Sequence, residues 1–138
     1  MTVVRPAKPT GVQIAVSVGE LVDKVTILEI KADRIASAVP KANVRRELEA
    51  LTESLAPYLS SEPRLARLKD DLCALNETLW DIEDGIRDCE RRKDFGPRFI
   101  EFARAVYRTN DRRSAVKREI NDLVASDIVE EKSYQPYD

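Results

Sequence analysis

The side chains able to do chemistry in this chain are carboxylates, guanidinium and ammonium groups, amides and two thiols, because its 138 residues include no histidine. That absence removes the commonest general acid/base, the Ser-His and Cys-His nucleophile pairs, and every His-ligated metal. A metal would need oxygen ligands, and Glu20-x-x-Asp23 places two carboxylates on adjacent helical turns, with Glu83 available from a later helix. Three stretches also set polar groups where helical periodicity calls for core. Glu29 projects into an apolar stripe between Val22 and Val25. Asn76, Trp80, Glu83 and Arg87 follow at i, i+4, i+7 and i+11 beside a leucine stripe. Asn110, Arg113, Lys117 and Asn121 continue the inward line set by Val106 and Val124. Buried without partners, such groups cost several kcal/mol each, so they must be paired, hydrated or ligand-bound.

Two readings follow. In one, Glu29, Glu83, Arg113 and Lys117 form a satisfied structural network. In the other, Glu29, Trp80, Glu83, Arg87, Asn110, Arg113, Lys117 and Asn121 line a polar pocket, with the cations holding a small anion and the amides orienting it. In either case Asp23 is expected to be partly buried, because apolar residues on several faces of its helix imply neighbours on more than one side.

The positioning elements are helical. Only four glycines occur, leucine, alanine, glutamate and arginine abound, and the apolar spacing is helical throughout. The fold expected is an all-α antiparallel bundle of about four helices, with a long hairpin of the third and fourth. Residues 1–11 are expected as an N-terminal tail, 12–126 as the bundle, and 127–138 as a tail packed on the bundle or on a partner subunit. Val12–Val16 alternates like a short strand or an extended segment against the bundle. Ser17 and Glu20 form a Ser-x-x-Glu capping box opening a helix over about 18–37. A second is expected over about 41–56, ended or kinked by Pro57. The third runs from the Ser60–Pro63 start signal to about Lys93, with Gly85 on its wet face at a propensity cost of about 1 kcal/mol. The fourth covers about 97–125.

Charge excludes other functions. Twenty-three basic against 25 acidic residues give a net charge of −2, which supplies no field for nucleic acid. Arg104, Arg108 and Arg112 make a basic ridge without interleaved aromatics, read as a solvated face. No segment is apolar and long enough for membrane insertion, and no signal peptide opens the chain, so a cytoplasmic protein is expected. Cys73 and Cys89, on one helix, would lie about 24 Å apart and are read as reduced thiols.

Ser17 to Lys31 (SVGELVDKVTILEIK), Asn43 to Leu48 (NVRREL), Leu79 to Arg87 (LWDIEDGIR), Asn110-Asp111-x-Arg113 and Ile128 to Tyr134 (IVEEKSY) together resemble a family of short, uncharacterised bacterial and phage proteins, a domain of unknown function, over about residues 12–134. The resemblance implies no reaction and no catalytic residues, but points to surface-polysaccharide biosynthesis. A binding protein without cofactor is therefore expected, taking a partner or a small anionic ligand, with a homodimer that packs or exchanges its tyrosine-bearing tail. A second expectation is a magnesium-dependent enzyme acting on a nucleotide or nucleotide-sugar through Glu20, Asp23 and Glu83. Those carboxylates resemble the paired acidic elements of the all-α nucleotide pyrophosphohydrolases, although the third helix has no second pair at that spacing and Lys24 follows Asp23. A third is a purely structural bundle.

Overall fold

The computed structural model describes residues 11–138, so the expected tail lies outside the described residues except for Gly11. Four helices follow in order: α1 Val18–Arg34, α2 Ala38–Ser61, α3 Leu65–Arg92 and α4 Pro97–Leu123. No strand occurs among the described residues. Val12–Val16 leads into α1 without regular structure, and Val12 and Ile14 are exposed.

Local sequence sets each boundary. The Ser17 hydroxyl accepts from the Glu20 amide at 3.1 Å, which caps α1. The Glu20 carboxylate turns instead to another helix. Pro40 sits in the first turn of α2, where its missing N–H costs nothing. Of the two outcomes expected at Pro57, an end is ruled out, because α2 runs on to Ser61. A proline near a helix end forfeits one backbone bond, and the burial of Leu55 and partial burial of Leu59 on either side offset it. Asp94 accepts from the Gly96 amide at 3.0 Å, and Pro97 opens α4 one residue later, closing the α3–α4 turn.

The core joins all four helices through Val18, Val22, Val25, Leu55, Leu65, Leu72 and Ile120. The α3–α4 hairpin is the most extensive pairing, and α1 packs against each of the other three helices while α2 barely meets α3. That central position puts polar residues of α1 out of reach of water. Among the described residues no helix is long and apolar enough to cross a membrane.

Gly85 corrects the sequence expectation most sharply. It is buried, and a Cβ placed on it would fall 2.4 Å from Cζ of Phe102. The residue is small because α3 and α4 meet there, not because the position is exposed.

Candidate functional site

Burying the α1 carboxylate Asp23 dictates what surrounds it. Its side chain is 1% exposed, and α4 supplies the counter-ion. Arg113 Nε donates to one carboxylate oxygen at 2.9 Å, while a second guanidinium nitrogen engages the other. This two-pronged pairing is the strongest available to a carboxylate. From α3, the Asn76 amide donates to Asp23 Oδ1 and to the Thr26 hydroxyl, both at 2.9 Å. The Thr26 hydroxyl in turn donates to the Asp23 backbone carbonyl at 2.8 Å. Three helices are thereby fastened at one carboxylate. The Asp23 hydrogen bond raises the Arg113 pKa against the pull of partial burial.

One turn along α4, the Lys117 ammonium sits among three acids. It lies 2.6 Å from Glu20, 3.0 Å from Glu130 and 3.8 Å from Asp23. Burial pulls its pKa down, but the hydrogen bonds to Glu20 and Glu130 and the Asp23 charge outweigh that and hold it above the ordinary lysine value. Glu130 is also engaged by Lys132, and these two ammonium groups hold its carboxyl down at about 2. Asn121 accepts from the Gly19 amide at 2.7 Å, and Ser126 accepts from the Val18 amide at 3.2 Å, so α4 and its exit close the amino end of α1. Gly19 permits that approach, since a Cβ there would stand 2.6 Å from the Lys117 carbonyl oxygen.

The C-terminal tail turns back along α4. Glu130 meets Lys117, Glu131 meets Arg118, and Tyr137 donates to Asp111 at 2.7 Å and packs edge-on against Tyr107. Its partner here is its own helix. The six residue steps from 111 to 117 along the helix rise about 9 Å. The seven residue steps of the tail from Glu130 to Tyr137 can span about 23 Å. The tail therefore has slack, and beneath it lies a trench of about 890 Å³. Asn110, Ser114 and Tyr107 contribute to its floor, Tyr134, Gln135 and Tyr137 to its roof, and Arg113, Lys117 and Lys132 supply its cations.

Of the residues singled out in the sequence, Asn110, Arg113, Lys117 and Asn121 lie together, and Asn110 accepts a long 3.4 Å bond from Arg113. Glu20 and Asp23 join them. Glu29, Trp80, Glu83 and Arg87 do not, which corrects their expected convergence on the interior. Glu29 pairs with Lys69 at 2.7 Å. Trp80 lies under the Arg34 guanidinium at 5.6 Å, at the far end of α1. Glu83 and Arg87 are exposed and face each other along α3. Glu20 and Asp23 are engaged by Lys117 and Arg113, and Glu83 lies apart facing Arg87 on α3, so the structure does not bring these three carboxylates together. Among the described residues no cluster of three or more acidic or cysteine side chains could hold a metal ion.

Asn76, Thr26, Glu130 and Lys132 entered the network without having been chosen as site residues. Asn76 was visible as the first member of its polar ridge. Glu130 and Lys132 lie in a segment with no periodicity to phase them. Cys73 and Cys89 are free, and burial pushes the Cys73 thiol up, away from the reactive thiolate.

No curated protein and no solved structure matches the chain. The model of a family of unknown function, DUF6165, matches residues 12–137, and the chain belongs to that family.

Proposed function

We propose that this is a binding protein whose ligand, a small molecule with a ring-bearing body and an acidic group, lies in the trench between α4 and the C-terminal tail. The observation that carries the reading is the trench itself. Its volume of about 890 Å³ suits a small-molecule site, and its chemistry is divided. Tyrosine faces at Tyr107, Tyr134 and Tyr137 suit a ring. Asn110, Ser114 and Gln135 offer hydrogen bonds to hydroxyl groups. Arg113, Lys117 and Lys132 provide the acid-binding end. An acidic sugar has this combination of parts, which agrees with the surface-polysaccharide link implied by the sequence resemblance.

One observation favours a second reading, a purely structural bundle. Among the described residues no buried side-chain nitrogen or oxygen lacks a hydrogen-bond partner. A thermal-shift series with glucuronate, glucose and glucose 1-phosphate separates the two. A ligand at a hundred times its dissociation constant stabilises the folded state by about 2.7 kcal/mol, a shift of several degrees. The binding reading expects glucuronate to give that shift, and Asn110→Ala or Tyr107→Ala to abolish it with little effect on the unliganded protein. No shift with any of the three compounds would leave the structural reading.

A further inference from the structure

Resting on the trench as a ligand site, we propose that Glu130 is a built-in competitor for the ligand's acidic group, which carries one negative charge and exchanges with Glu130 on Lys117.

The charges around Lys117 carry the argument. Three carboxylates, Asp23, Glu20 and Glu130, meet three cations, Arg113, Lys117 and Lys132. Lys24 reaches only the outer oxygen of Glu20, at 3.8 Å, and its own side chain is half exposed. Asp111, engaged by Tyr137, and Asp138 add further negative charge to the trench wall. A fourth acid added to this cluster would enter a partly desolvated site without a counter-ion, which is strongly disfavoured. One that replaces an existing carboxylate leaves the balance intact. A monoanion such as a sugar carboxylate satisfies that condition, and a dianionic phosphate monoester brings one charge too many.

The three acids are not equally replaceable. Asp23 is 1% exposed and held by Arg113 and Asn76, and Glu20 is fixed by the first turn of α1. Glu130 has the most exposed side chain of the three, at 38%, and lies on a segment without helical bonds. The slack between Glu130 and Tyr137 lets residues 130–132 lift. Meanwhile Tyr137 stays on Asp111 and the tyrosine roof remains over the ligand. The neighbouring Glu131–Arg118 pair is exposed and resists such a movement weakly.

The test compares the full chain with E130Q and E131Q, titrated calorimetrically with glucuronate and with glucose 1-phosphate. E130Q removes the competing charge and should bind glucuronate about tenfold more tightly than the unsubstituted chain. E131Q loosens the tail at Arg118 without touching Lys117 and should leave the affinity unchanged. Glucuronate should bind the unsubstituted chain more tightly than glucose 1-phosphate does. In the unsubstituted chain, glucuronate should also move the amide resonances of Glu130 and Lys132, a reading that needs no variant to fold. Equal or weaker binding by E130Q, an equal gain in E131Q, a preference for the dianion, or unmoved resonances would each overturn the exchange while leaving the trench a binding site. Absence of glucuronate binding in all three proteins would overturn both.

Discussion

Arg113 on α4 grips both carboxylate oxygens of Asp23 on α1, across 90 residues of sequence. The contact sets the angle at which the last helix crosses the first, because the paired planes of carboxylate and guanidinium admit little rotation. It also makes each partner depend on the other.

Arg113→Met should therefore destabilise the protein by about 3 kcal/mol, since it leaves a buried carboxylate with only Asn76 and the more distant Lys117 as partners. Asp23→Asn combined with Arg113→Met should cost clearly less than the sum of the two single changes. Urea unfolding of the four proteins gives the coupling directly, and strict additivity would mean that the pair acts independently.

Gly85→Ala offers two opposite expectations. Helix propensity alone favours alanine by about 1 kcal/mol. The α3–α4 contact opposes it, because the new methyl would meet the Phe102 ring at 2.4 Å, and overpacking of this kind costs about 1–3 kcal/mol. A net loss in melting temperature is expected, with recovery when Phe102→Leu is added. A gain in the single variant would show that the ring moves aside freely.

Gly85 also marks where sequence periodicity stops being informative. Phase along one helix points Asp23, Asn76, Arg113 and Lys117 inward, and the structure buries Asp23, Asn76 and Lys117 and partly buries Arg113. Glu29 falls inside the α1 stripe and Glu83 and Arg87 beside the α3 stripe, yet all three reach outward. A long side chain at such a position can carry its charge outward, as Glu29 does to Lys69 and Arg87 to water, and the residue type alone does not reveal the choice. Gly85 has no side chain to report its face, and only the partner helix shows that Phe102 occupies the space. Glu130 and Lys132 belong to a segment without helical phase, so nothing local fixed their direction. The all-helical fold was legible because it is local; the half of the network contributed by the tail was not.

Acid should weaken the tail's hold on α4. The Glu130 carboxyl is held at about 2 against an ordinary 4.5, by Lys132 and then Lys117. A folded-state value below the unfolded one means that the unfolded chain binds the extra proton between those two pH values. The Glu130 contribution is thus whole above about pH 4.5 and is lost as pH falls towards 2. Asp88 and Glu62, also lowered by arginine partners, act in the same direction, so the informative curve is the difference between the unsubstituted chain and E130Q. That difference should shrink through this window in stability measurements, with the Glu130 and Lys132 amide resonances following the detachment. A constant difference would place the Glu130 carboxylate in free solvent.

Lys117→Met tests whether the middle of the site is structure or open cavity. Methionine has similar length and would fill the space, so the change isolates the charge. If Lys117 merely lined open water, its replacement would be neutral or stabilising. Its side chain is 11% exposed and bonded to Glu20 and Glu130 at 2.6 and 3.0 Å. Removing it leaves Glu20 with only the outlying Lys24, and a loss of about 2–3 kcal/mol is expected. Adding Glu20→Gln to Lys117→Met should recover part of that loss, because the orphaned acid is then neutral. The tail, deprived of its central anchor, should become the preferred site of limited proteolysis between residues 126 and 134. A stable Lys117→Met protein with a protected tail would mean that Glu130 is held by Lys132 alone and that α4 does not fasten the tail.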